Sequence, residues 1–216
     1  MRIGIYGSSF NPPTNGHLWS GNTIAQREEL DKVILLPSSS KRTDKNIEVA
    51  DLHRMEMLRL AVAENSIFEI DDHEMKAISG KQYSYFTMEH FREKYPDDEL
   101  FFLMGADLLA ALPNWTYGEK FIQSTKFIVI ERQNIPMGEI IAKTPLLRKY
   151  HRNFSLIYKG IVNEISSSYI REEFESGADP RYLLPEAVYW YIKNNNVYLK
   201  GDCVMKLDEL DVRNLG

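Results

Sequence analysis

The residues best suited to chemistry in this chain fall in two short segments about 150 residues apart. The first is Gly7-Ser8-Ser9-Phe10-Asn11-Pro12-Pro13-Thr14-Asn15-Gly16-His17. Small residues such as Gly7, Ser8 and Ser9 let a backbone approach a ligand closely, and Thr14 and Asn15 are good caps for a following helix. Gly16 and His17 then fall in its first turn, where unpaired N–H groups and the positive end of the helix dipole favour a phosphate. An imidazole at that point can donate to phosphate oxygens as charge redistributes during a transfer. In isolation it would read as an ordinary solvent-facing histidine. The second segment is Ile165-Ser166-Ser167-Ser168-Tyr169-Ile170-Arg171. A serine N-cap, neighbouring hydroxyls and an arginine on the same face of the first turn describe a polyphosphate clamp. Alone, these residues are a helix start and a solvated arginine; paired with the first segment they point to nucleotide phosphates.

The elements that must position these residues are legible in the apolar pattern. Ile3 to Tyr6, Lys32 to Leu36, Ile67 to Ile70, Leu100 to Met104, Phe127 to Glu131 and Ser155 to Tyr158 read as buried strands. Between them, Gly16 to Arg27, Leu52 to Glu64 and Thr87 to Lys94 have helical spacing. In the second of these Asp51 is the expected N-cap, with Leu52, Met55, Leu58, Ala61 and Val62 on the apolar face. Further helices are expected up to about Arg152, near Ser167 and at Pro185. Such alternation implies βαβ units and an α/β, doubly wound, mainly parallel sheet with a small helical C-terminal part. Ligands of such sheets bind at the carboxyl ends of the strands, where the strand order reverses. Both the first segment and Gly105-Ala106-Asp107 follow strands. Gly105 permits close backbone approach, and Asp107 suits either ribose hydroxyls or a helix cap. Residues 1–198 read as one domain, with 199–216 as a C-terminal extension.

Bulk properties narrow the function class. A chain of 216 residues holds one domain with a sizeable core. The formal net charge of -5 argues against a nucleic-acid-binding surface. A single cysteine, Cys203, excludes an internal disulfide and a four-thiolate metal site, and fits a reducing, cytoplasmic setting. No apolar run approaches ~20 residues, so no membrane span is expected.

The first segment resembles the T/H-x-G-H signature of the α/β nucleotidylyltransferases, with Thr14-Asn15-Gly16-His17 as the tetrad and Phe10-Asn11-Pro12 as the run before it. The second resembles the I-S-S-T-x-I-R signature of the same superfamily, with Ser168 in place of threonine. Within it the middle of the chain is similar to bacterial nicotinate-mononucleotide adenylyltransferases. Phe101 to Leu108 looks like their strand followed by G-[AG]-D, and Leu112-Pro113-Asn114-Trp115 like the block whose tryptophan stacks on a pyridine ring. His53-Arg54-Met55-Glu56-Met57-Leu58 matches their H-R-x-x-M-L helix opening, a mostly structural feature. Arg132 resembles their arginine after strand five, and Thr87 falls on the threonine that contacts the mononucleotide.

The resemblance implies in-line attack of a mononucleotide 5′-phosphate on the α-phosphorus of ATP, with magnesium bound mainly through substrate phosphates. It assigns catalysis to His17, Thr14 and Arg171. ATP falls to Gly7, Ser8, Ser9, Phe10 and Gly16, with Gly105, Asp107, Arg132, Ser167 and Ser168. The pyridine mononucleotide falls to Thr87, Trp115 and a cation of the loop after strand two: Lys41, Arg42 or Lys45. The chain departs from the family at several places. Phe86 stands at the usual aspartate, Gln82 at the usual serine, and Ser38-Ser39-Ser40-Lys41-Arg42 at the usual P-P-H-K element. Thr14 in place of histidine is more typical of phosphopantetheine adenylyltransferases, which keeps that acceptor open, as it keeps nicotinamide mononucleotide and a non-catalytic nucleotide sensor. A homo-oligomer is compatible with all of these. Trp19 and Trp190 are expected in packing roles, and His73, His90 and His151 at the surface or in structure.

Overall fold

In a computed structural model of the protein, described here for residues 1–41, 47–76, 82–158 and 164–199, six strands form one sheet. They are β1 (Arg2–Ser8), β2 (Lys32–Pro37), β3 (Phe68–Ile70), β4 (Glu99–Gly105), β5 (Lys126–Ile130) and β6 (Phe154–Ile157). Their order is β3-β2-β1-β4-β5-β6 and every neighbouring pair is parallel. All six lie within two residues of the expected runs, because strands covered on both faces are apolar at nearly every position. The order reverses between β1 and β4, and a crevice opens at the carboxyl ends of those two strands. Gly7 and Ser8 end β1 there, and Gly105 ends β4.

The helices are α1 (Asn15–Arg27), α2 (Asp51–Val62), α3 (His73–Lys76), α4 (Ser84–Lys94), α5 (Gly118–Ser124), α6 (Met137–Lys143), α7 (Pro145–Lys149), α8 (Ser167–Ser176) and α9 (Glu186–Asn194). Alternation along β1 sends Ile3 and Ile5 to a core shared with Met88 and Phe91 of α4 and Phe121 of α5. The opposite face packs Val33, Leu35, Leu103 and Ile128 against Ile24 of α1 and Leu58 of α2. A third cluster joins Met57 of α2 to Ile170 and Phe174 of α8 and Val188 and Ile192 of α9. The C-terminal helices are thereby fixed beside the crevice.

Helix α2 corrects the expectation twice. Ala50 holds the N-cap position and makes no side-chain cap, while Asp51 is the first helical residue. Leu52 is 73% exposed, whereas the cation Arg54, two residues on, is fully buried. Pro185 likewise takes the N-cap position of α9 rather than its first turn. Residues 200–216, nearly all of the expected extension, lie outside the described residues, as do Arg42 and Lys45.

Candidate active site

Thr14 is the N-cap of α1, and its side chain and that of His17 satisfy each other's backbone N–H. The Thr14 hydroxyl accepts from the His17 N–H at 3.2 Å, and the Thr14 N–H donates to His17 Nδ1 at 3.1 Å. The same hydroxyl lies 2.9 Å from Nδ1. Donors on Nδ1 leave the single proton of a neutral imidazole on Nε2. Loss of water around the ring, then the charge of Arg132, lowers the His17 pKa to about 4. The ring is therefore a neutral Nε2–H donor in the free protein, with Ser8 Oγ 3.3 Å from Nε2.

The loop before α1 is held from outside by its carbonyl groups. Arg54 donates to the Ser9 carbonyl at 2.7 Å, Ser167 Oγ to that of Pro12 at 2.7 Å, and Arg171 to that of Asn11 at 2.7 Å. Tyr198 donates its hydroxyl to the Asn11 side-chain oxygen. Inside the loop Phe10 is fully buried with a left-handed φ of 44°, and its ring packs on His17 with centroids 5.0 Å apart. An aromatic residue keeps that backbone conformation only where its surroundings impose it. Asp51 anchors the arrangement: burial works against its charge, but hydrogen bonds from Ser40 and Arg54 hold its carboxyl below the usual range.

Two cavities meet at His17. One, of about 420 Å³, is lined by Ser9, Gly16, Trp19, Ser166, Ser167, Ser168 and Arg171 among others. The second, of about 660 Å³, is lined by Gly7, Ser8, Ser38, Glu74, Gln82, Asp107, Asn114 and Trp115 among others. Tyr6, His17, Met104, Gly105 and Arg132 belong to both. Arg132 forms an ion pair with Asp107 at 3.8 Å, while its Nε is buried without a hydrogen-bond partner. A Cβ on Gly105 would sit 2.4 Å from Asp107 Oδ1, so only glycine lets that carboxylate fold back to the arginine. Trp115 is partly buried and stacks on Phe121 at 6.2 Å. At the start of α8, Ser166 is the N-cap and accepts from the Tyr169 N–H, and Arg171 donates to Ser168 Oγ at 3.2 Å.

The structure thus brings Gly7, Ser8, Ser9, Gly16, His17, Gly105, Asp107, Trp115, Arg132, Ser167, Ser168 and Arg171 to one cleft. It does not bring four other expected residues to the cavity walls. Thr14 is fully buried with its hydroxyl 2.9 Å from His17 Nδ1, and Phe10 is fully buried with its ring packed on that of His17. Thr87 is 4% exposed and donates its hydroxyl to Glu74 Oε1 at 2.9 Å; Glu74, not Thr87, lines the second cavity. Lys41 is exposed and lines neither cavity. Trp19, expected in a packing role, packs against the second core cluster and also lines the first cavity, whereas Trp190 is 45% exposed. His73 and His90 stack on each other at 3.7 Å. Sequence reasoning missed Glu74 and gave no site role to Ser38, Gln82 or Asn114, although these three stand in segments compared with the family.

This cleft can be compared with known proteins. A family model for cytidylyltransferase-like proteins matches residues 5–173. The nicotinate-nucleotide adenylyltransferase of Bacillus subtilis is 33% identical over 198 residues, covering 91% of this chain and 98% of the relative. A probable nicotinate-nucleotide adenylyltransferase of Citrifermentans bemidjiense is also 33% identical, covering 92% and 99%. Among solved structures, Plasmodium falciparum nicotinic acid mononucleotide adenylyltransferase complexed with NaAD matches with a TM-score of 0.75 and 25% identity, covering 91% of this chain and 97% of that one. No helix among the described residues is long and apolar enough to cross a membrane. The chain is an enzyme of the nicotinate-nucleotide adenylyltransferase family, within the α/β nucleotidyltransferase superfamily.

Proposed function

We propose that this enzyme joins nicotinate mononucleotide to the AMP moiety of ATP, forming deamido-NAD and releasing pyrophosphate, as a cytoplasmic step of NAD synthesis. The observation that carries the reading is the position of His17 where the two cavities meet. ATP occupies the cavity walled by Gly16, Ser167, Ser168 and Arg171, and the mononucleotide the one walled by Trp115. The α-phosphorus then lies at the junction. A 5′-phosphate oxygen of the mononucleotide forms a bond to it, and the bond to the β-phosphate bridging oxygen breaks, with pyrophosphate taking the electron pair. No proton moves to or from a side chain in that step, so the protein's work is placement and charge stabilisation.

His17 Nε2–H donates to a non-bridging oxygen of the α-phosphate, where charge shifts in the transition state. Arg132, whose Nε is buried without a partner, faces the same point from just past β5. Arg171 and the first-turn amides of α8 receive the leaving pyrophosphate. Trp115 offers a flat face to the pyridine ring. Among the described residues no three His, Cys, Asp or Glu side chains gather as a metal cage. Magnesium would enter on the ATP phosphates, neutralising charge there, and no residue is assigned to hold it.

We assign this activity to residues 1–198. The test is pyrophosphate release from ATP with a panel of acceptors: nicotinate mononucleotide, nicotinamide mononucleotide and phosphopantetheine. The highest kcat/KM is expected with nicotinate mononucleotide. Preference for phosphopantetheine would overturn the acceptor assignment, and no release with any acceptor would leave a nucleotide sensor.

A further inference from the structure

Beside His17 the wall of the second cavity carries a buried serine hydroxyl. Strand β2 runs parallel to β1, with Gly7 opposite Leu36 and Ser8 opposite Pro37. The next residue, Ser38, donates its N–H to the Ser8 carbonyl at 3.0 Å. Ser38 is 2% exposed and lines the second cavity, and its Oγ is buried without a hydrogen-bond partner among the described residues. Ser8 lines the same cavity, with its own Oγ 3.3 Å from His17 Nε2. Ser38 therefore stands next to the point where the two cavities meet. The backbone that carries it is fixed on its far side as well. Asp51 accepts from the Ser40 N–H at 2.9 Å, and Arg54 joins Asp51 to the Ser9 carbonyl.

A buried hydroxyl left without a partner is costly, and a ligand atom that bonds to it recovers the cost. In the proposed reaction the pyridine ring lies on Trp115 and the 5′-phosphate attacks at the junction, so the phosphate is the part of the mononucleotide that meets Ser38. Phosphate oxygens accept, and a serine hydroxyl rotates to donate to them. We infer that Ser38 binds the attacking 5′-phosphate, its hydroxyl donating to one non-bridging oxygen so that another faces the α-phosphorus. The contact makes and breaks no covalent bond and moves no proton. It restricts rotation of the phosphate, which is the placement that in-line transfer requires. This inference rests on the proposed mononucleotide site. It gives a role to the first residue of Ser38-Ser39-Ser40, a segment at which this chain departs from its family. Lys41, the cation expected for this ligand, lines neither cavity.

The test separates the phosphate from the rest of the ligand. Ser38→Ala removes an unpaired buried group from the free enzyme, so Tm should stay the same or rise. Dissociation constants are measured by calorimetry for nicotinate mononucleotide and for nicotinate riboside, which lacks the phosphate. The substitution should weaken the mononucleotide by about tenfold or more, as loss of a hydrogen bond to a charged group does. The riboside should stay within about twofold of wild type, because its partner group is already gone. KM for the mononucleotide should rise in step, while KM for ATP stays near wild type. Ser38→Thr, which keeps the hydroxyl, should bind the mononucleotide more tightly than Ser38→Ala. Equal weakening of both ligands would overturn the inference by placing the hydroxyl at the ribose or the ring, and a lower Tm beside it would make Ser38 a structural residue. Unchanged affinity for both would overturn it as well. Wild-type enzyme that neither binds nor turns over the mononucleotide would overturn the proposed function and the inference with it, whereas wild-type turnover beside either of the earlier results overturns the inference alone.

Discussion

Thr14→Val separates orientation of the imidazole from contact with substrate. Valine reproduces the shape of threonine in a site with no exposure, so the change removes a hydroxyl and little else. Two effects follow from the geometry. The N-cap bond to the His17 N–H, 3.2 Å long, disappears, which costs about 1 kcal/mol of stability. For a chain of this size that lowers Tm by about 2–4 °C. The imidazole also loses the hydroxyl 2.9 Å from Nδ1. The Thr14 N–H, 3.1 Å from Nδ1, remains and still favours the Nε2–H tautomer. The ring is then loosened rather than reversed, so kcat should fall by about tenfold, well short of the effect of deleting the imidazole. The assay is steady-state pyrophosphate release, run beside thermal unfolding. A lowered Tm with unchanged kcat would reduce Thr14 to a helix cap. A loss as large as that of His17→Ala would place Thr14 on the substrate itself, against its burial.

Other outcomes follow from the same site. Gly105→Ala must push the Asp107 carboxylate out of place, breaking its pairing with Arg132. Because a flexible side-chain end absorbs the clash, kcat/KM should fall at least about tenfold while Tm changes by only a few degrees; equal activity would show that the Asp107–Arg132 pair is dispensable. His17 should titrate near pH 4 in the free protein, followed by NMR of its ring and assigned with His17→Gln. Its folded pKa lies below the unfolded value of about 6.5, so it favours folding while neutral, and that contribution is lost as pH falls from about 6.5 to 4. Titration near 6.5 would contradict the desolvated neutral ring. Arg171→Ala should raise KM for ATP by about tenfold or more and leave KM for the mononucleotide nearly unchanged, since Arg171 lines only the first cavity; unchanged ATP kinetics would refute the clamp.

The strands and the two helix-opening segments were legible because each is encoded locally. Buried parallel strands are apolar runs, and a helix N-terminus announces itself in its capping residues, as Thr14 and Ser166 do. What could not be read were roles decided by distant partners. Arg54 is buried because it meets the Ser9 carbonyl and Asp51, a contact that overrides helical periodicity and leaves Leu52 outside. Thr14 and Phe10 sit within a recognisable motif, yet only the packed loop shows them supporting His17. Glu74 lines the second cavity with Thr87 donating to its carboxylate, and no spacing in the sequence joins it to Ser38 or Trp115. The aromatic at position 86, which stands in place of an aspartate, is 51% exposed and joins Tyr83, Tyr85 and Tyr117 in a ring cluster beside the second cavity.

The central claim is that a neutral His17, held by Thr14 at the meeting point of two cavities, donates from Nε2 to the α-phosphate during transfer. It is tested most directly by single-turnover pyrophosphate release from His17→Ala with ATP and nicotinate mononucleotide both saturating. A rate lower by about a hundredfold or more, as for loss of one donor to a developing charge, with both substrates still bound, is the predicted result. A rate near that of the wild type would contradict it.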